Sequence, residues 1–128
     1  MKYGYTIVYV SSVEETLQFY QQAFGFEIHF MHESKTYGEL NTGETKLAFA
    51  SHKLGNANLN GEYLKGNVDA KPFDLELAFV TEDVFAAYEK AIAKGAVSLK
   101  YPEKKPWGQI VGYVRAIDGS IIELCTPI

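Results

Sequence analysis

The stretch IVYVSSVEETLQFYQQAFGF, residues 7–26, lies without a gap over LAFVTEDVFAAYEKAIAKGA, residues 77–96. Each begins as an apolar, strand-like run, passes a polar start signal, continues with helical spacing and closes on a glycine. Ser12 and Glu15 have the separation of a capping box, which satisfies amides left without partners at a helix start. Val13, Leu17, Tyr20 and Phe24 then recur at i, i+4, i+7 and i+11, one side of a helix of about three turns. Val84, Ala87, Tyr88 and Ala91 form the corresponding stripe in the second stretch. Gly25 and Gly95 stand where the end of a helix calls for positive φ. The chain therefore reads as an internal duplication, and each helix stripe needs a sheet to cover.

Three strand-like runs follow each helix: FEIHFMH, TYGELN and ETKLAFAS in the first half, AVSLKYP, GQIVGYVR and SIIELCT in the second. Thr42-Gly43 and Asp118-Gly119 supply short turns with the required glycines. Each half is thus β-α-β-β-β, with module 1 over about 3–51 and module 2 over about 73–128. Residues 52–72, rich in Gly, Asn and Lys, lack periodicity and read as a linker or a loop over a site.

At 128 residues, 47% hydrophobic and 22% charged, the chain has the size of a single domain with a real core. A formal charge of -4 with no lysine or arginine cluster argues against nucleic acid. No run approaches the roughly 18 apolar residues of a membrane span. The N-terminal segment alternates and reaches Glu14 early, unlike a signal peptide. The lone Cys125 has no disulfide partner, so a cytoplasmic location is expected. There is no phosphate loop, serine elbow or cysteine paired with a histidine.

YVSSVEETLQFYQQAFGF, LAFVTEDVFAAYEKAIAKGA and KPWGQIVGYVRAIDGSIIELCTP together resemble the vicinal oxygen chelate superfamily, which includes glyoxalase I, extradiol dioxygenases, fosfomycin-modifying enzymes and bleomycin-binding resistance proteins. The resemblance implies an α+β fold whose duplicated modules curl their strands into an open, barrel-like cleft. It also implies a homodimer with clefts completed by the partner.

Catalytic relatives hold a divalent metal from four inward positions, on the first and last strands of each module. The resemblance carries these positions onto Thr6, Glu76, Glu123 and either Leu47 or Ala48. Two carboxylates and no histidine remain, fewer than the three protein ligands a catalytic centre normally needs. No metal or other cofactor is expected, and Glu76 and Glu123 are the candidates if a divalent ion binds. His29 and His32 point to opposite faces of a strand and cannot share an ion.

The strand FDLELAFV answers to the same pattern: alternation puts Asp74, Glu76, Ala78 and Val80 on one face and Leu75, Leu77 and Phe79 on the other. Likewise Ile121, Glu123 and Cys125 share a face, as do Gln109, Val111, Tyr113 and Arg115. If the modules pair as the resemblance implies, Glu76 and Glu123 meet in the cleft, and one of two close carboxylates holds its proton above the usual range. Trp107, at the mouth of its strand, offers an indole for a planar or cationic ligand. The residues assigned to ligand binding are Glu76, Glu123, Trp107, Tyr113, Arg115 and Thr6. The plainer alternative has Glu76 and Glu123 paired with Arg115, Lys46 or backbone amides. The expected function is metal-free binding of an aromatic or cationic small molecule, as in bleomycin and other antibiotic resistance. The rival is a glyoxalase-type metal-dependent lyase, isomerase or dioxygenase using Glu76 and Glu123.

Overall fold

A computed structural model describes all residues 1–128, and the chain divides into two compact units, Met1–Lys65 and Gly66–Ile128. In the first, β1 (Tyr5–Val10) leads to α1 (Val13–Phe24), then β2 (Glu27–Met31), β3 (Tyr37–Asn41), β4 (Lys46–Ser51) and α2 (His52–Leu59). The second runs β5 (Glu76–Val80), α3 (Val84–Ala93), β6 (Val97–Lys104), β7 (Ile110–Arg115) and β8 (Ile121–Cys125). Each unit contains one four-stranded mixed sheet, ordered β1-β4-β3-β2 and β5-β8-β7-β6. The first strand of each lies parallel to the last, and the remaining pairs are antiparallel. The duplicated β-α-β-β-β, α+β architecture expected from the sequence is the one observed.

The helix starts form as the sequence indicates. The Ser12 hydroxyl accepts the Glu15 amide at 3.3 Å, and the Asp83 carboxylate accepts the Ala86 amide at 3.0 Å. Gly25 ends α1 with φ 80°, its amide donating to the Gln21 carbonyl. Val13, Leu17 and Tyr20 are buried, Tyr20 packing its ring 4.8 Å from that of Phe49 on β4. Val84, Tyr88 and Ala91 do the same for α3, over a sheet whose covered face contributes Val114, Ile122 and Leu124. Burying each large side chain stabilises by about 1.5–3 kcal/mol, so these two cores supply the drive for both units.

The segment read as structureless between the modules is partly helical. Ser51 caps α2 by accepting the Leu54 amide at 3.2 Å, and Asn60 ends it in the left-handed region with φ 52°. The apolar period that would have revealed it is missing, because Gly55 is its one buried residue. A Cβ at Gly55 would lie 2.7 Å from the Tyr63 hydroxyl and 2.8 Å from the Tyr9 ring, so the helix approaches β1 through a missing side chain. Tyr63 then folds back, its ring centroid 5.0 Å from that of Tyr9, and its hydroxyl lies 2.9 Å from His52 Nδ1.

Candidate functional site

Of the residues singled out in the second half, Glu76, Glu123 and Tyr113 meet on one face of its sheet, the face away from α3. Strand register pairs Ala78 with Glu123 and Glu123 with Tyr113, which sets Glu76, one pleat before Ala78, diagonally beside Glu123. Tyr113 donates its hydroxyl to Glu123 Oε2 at 2.9 Å. Burial holds the Glu76 carboxyl above the usual glutamate range, and the charge of Glu123 and a hydrogen bond to it push the same way. Glu76 therefore keeps its proton to a higher pH than an isolated glutamate. Burial, with the hydrogen bond to Glu123, pushes the Tyr113 phenol up to about 12, so Tyr113 remains a donor at neutral pH.

Cys125 lies on the same face, 4% exposed, and its Sγ points to the Phe79 carbonyl at 3.9 Å. Burial raises its thiol pKa, as do the hydrogen bond to Glu123 and the charges of both glutamates. It therefore stays a neutral thiol, the opposite of an activated nucleophile.

Arg115 is engaged elsewhere. Its Nε donates to the Gly119 carbonyl at 3.1 Å, Nη1 to the Val68 carbonyl at 3.0 Å and to that of Ala70, and Nη2 to the Asn67 carbonyl at 3.0 Å. Those four bonds tie the segment entering the module to the β7–β8 turn, and Arg115 forms no ion pair with either glutamate. The alternative in which Arg115 neutralises the acids is not what forms. Trp107 occupies the β6–β7 turn, 67% exposed, with Nε1 donating to Gln109 Oε1 at 2.7 Å, and the amide of Gln109 donates to the Thr126 carbonyl.

Thr6 is placed differently from its supposed counterpart. It pairs with Leu47, on the same face as Val8 and Phe49, the side covered by α1, and its hydroxyl bonds to that of Tyr3. Aligning the two units by their helix caps, Ser12 and Asp83, shifts the overlay by one residue, because β5 is followed by one more residue before its helix. Tyr5 then corresponds to Glu76, and the choice between Leu47 and Ala48 resolves to Ala48, which pairs with Ile7 as Glu123 pairs with Ala78.

The sequence reading passed over a third carboxylate. Glu39 on β3 pairs with Ala48, so it occupies in module 1 the place of Tyr113 in module 2. Tyr37 donates its hydroxyl to Glu39 Oε1 at 2.9 Å. The alternation of Tyr37, Glu39 and Asn41 against Gly38 and Leu40 in TYGELN was the available signal.

A divalent metal, which the fold family implies, finds an unsuitable donor set. No group of three or more His, Cys, Asp or Glu side chains is disposed to hold an ion, and Glu76 with Glu123 falls short of the three protein ligands of a catalytic centre.

A family model described as the Glyoxalase/Bleomycin resistance protein/Dioxygenase superfamily matches residues 2–124. The chain belongs to this superfamily. The chain is also similar to the uncharacterized protein YraH of Bacillus subtilis (strain 168), 27% identical over 116 residues, 90% of each chain. Among solved superfamily structures, a glyoxalase-related enzyme from Fulvimarina pelagi superposes with TM-score 0.85 at 19% identity, covering 99% of this chain and 88% of that one. A glyoxalase/bleomycin resistance protein/dioxygenase family enzyme from Burkholderia phytofirmans PsJN gives TM-score 0.82 at 19% identity over the whole of both chains. At such identities the structural likeness speaks for the fold alone.

Proposed function

We propose that the protein binds an aromatic or cationic small molecule on the face of module 2 that carries Glu76, Glu123 and Tyr113, and sequesters it without metal or chemical turnover. One observation supports this above the rest: Glu76 and Glu123 stand close together on a sheet face where no lysine or arginine pairs with them, and burial and Glu123 raise the Glu76 pKa. Like charges held together in a partly dehydrated place are costly, and an organic cation or an N–H donor set between them relieves that cost. Trp107, exposed in its turn, adds a stacking surface worth about 1 kcal/mol to a planar ligand. The proposal includes a homodimer and a part in resistance to a toxic compound such as an antibiotic, both on the strength of the superfamily. The metal-dependent lyase, isomerase or dioxygenase is the weaker reading, because it needs a donor that this face does not supply.

Fluorescence titration with 9-aminoacridine, a planar cation, in buffer containing EDTA tests the reading. A Kd in the micromolar range is expected, with Glu123→Gln weakening binding by about tenfold, or about 1.4 kcal/mol. Absence of binding up to about 1 mM, or equal affinity in Glu76→Gln, Glu123→Gln and the parent, would remove its support.

A further inference from the structure

We infer that residues 52–65, α2 with the turn that follows it, form a flap clamped over the Tyr9 ring by a hydrogen bond between His52 and Tyr63, and that protonation of His52 in mildly acidic solution releases the flap. This goes beyond the proposed function and does not depend on it, since every residue concerned lies within Met1–Lys65. Three contacts hold the flap down. Gly55 brings α2 so close that an added Cβ would meet the Tyr63 hydroxyl at 2.7 Å and the Tyr9 ring at 2.8 Å. Tyr63 lays its ring on that of Tyr9, centroids 5.0 Å apart and planes 31° apart. Its hydroxyl lies 2.9 Å from His52 Nδ1 and 3.5 Å from the His52 carbonyl oxygen, with the two rings stacked at 21°. The rest of the flap has little grip, since Gly55 is the one buried residue of α2 and residues 56–62 are all exposed. A segment with so few buried groups opens locally at small cost.

The clamp depends on the charge of His52. Burial raises the Tyr63 pKa, so its phenol is the donor and a neutral Nδ1 the acceptor. A proton on Nδ1 sets donor against donor, and the hydroxyl must turn round to accept. The imidazolium also gains no counter-charge. The strands packed against α2 offer Tyr5 and Tyr9 on β1 and Lys46 on β4 as their titratable groups, and no carboxylate. Along the flap itself Lys53 and Glu62 are exposed, and no acid forms an ion pair with His52. Burial, and after it the charge of Lys65, hold the clamped imidazole below its ordinary value of 6.5. In the opened flap His52 returns to that value. Above it both forms are neutral and the clamp has its full strength; as pH falls below it the open form takes the proton first, so the balance moves toward opening.

Hydrogen–deuterium exchange read by mass spectrometry at about pH 7.5 and about pH 5.5, corrected for intrinsic exchange rates, tests the flap. Residues 52–65 are expected to exchange about three- to tenfold faster in acid, while α1 is unchanged. His52→Gln keeps an acceptor for Tyr63 but carries no titratable ring, and should hold the two rates within about 1.5-fold. Tyr63→Phe keeps the ring on Tyr9 without the hydroxyl, and should exchange faster than the parent already at neutral pH and respond less to acid. NMR titration of the parent should place the His52 pKa below 6.5, with the Tyr63 ring resonances moving at the same midpoint. A His52 pKa at or above 6.5, an acid response of equal size in His52→Gln, or no acid response in the parent would each overturn the inference.

Discussion

Glu76 and Glu123 set a sign on the pH dependence of stability. The unfolded chain gives up the Glu76 proton near the ordinary value of 4.5, while in the folded state burial and Glu123 keep it bound to higher pH. Between those two values the folded protein holds more protons than the unfolded one, so stability falls as pH rises through that window. Glu76→Gln removes this loss. Urea unfolding at a series of pH values should show the variant gaining on the parent as pH climbs from about 4.5, then levelling off above the folded value. A difference that stays flat, or runs the other way, would show that the two acids do not interact. Solvent reaches Glu76, so the gain is small in absolute terms. The acid pair itself was legible in FDLELAFV and SIIELCT, because alternation alone assigns Glu76 and Glu123 to faces. Thr6 was misplaced for a different reason: faces on β1 depend on the spacing between strand and helix cap, and that spacing differs by one residue between the modules, whereas Glu39 on β3 lay in an alternation as plain as that of Glu76.

At the level of the elements, both modules use a glycine at the same point on their third strand. Gly38 pairs with Phe49, and Gly112 pairs with Leu124. A Cβ at Gly38 would lie 2.6 Å from Leu17 Cδ1 and 3.1 Å from the Phe30 carbonyl oxygen, so α1 sits on the sheet only because a side chain is absent. At Gly112 the neighbour is Pro102, 2.7 Å from the same imagined atom at its Cγ and 3.1 Å at its Cα. The cause of the close approach thus differs between the modules, although the position is shared. Gly38→Ala should destabilise by about 1–3 kcal/mol in chemical denaturation, the usual cost of overpacking. Gly4→Ala, with nothing within 4 Å, serves as the control and should change stability by less than about 0.5 kcal/mol. Helices α1 and α3 were legible because their apolar stripes are long and begin at side-chain caps. Helix α2 was not, because it packs through Gly55 rather than through an apolar stripe.

Over the whole chain, each unit has its own sheet, its own helix and its own buried core, and the boundary between them falls after Lys65, an exposed residue. The segment on either side of that boundary is anchored to its own unit: Tyr63 to Tyr9 and His52, and residues 67–70 to Arg115. Limited trypsin digestion should therefore cut first after Lys65 and yield fragments 1–65 and 66–128, identified by mass spectrometry, because backbone without regular hydrogen bonding is cut before strands and helices. Early cleavage at Lys100 or Lys104 within β6 would contradict this. The edge strand β6 has a further consequence. Seven of its eight residues are exposed along one border of its sheet, including Val97, Leu99 and Tyr101, a run that another copy's strand could otherwise extend into an aggregate. Two register shifts, the proline at position 102 and the lysines at 100 and 104 interrupt that border. Those are the devices by which an edge strand discourages a second copy from adding to its rim.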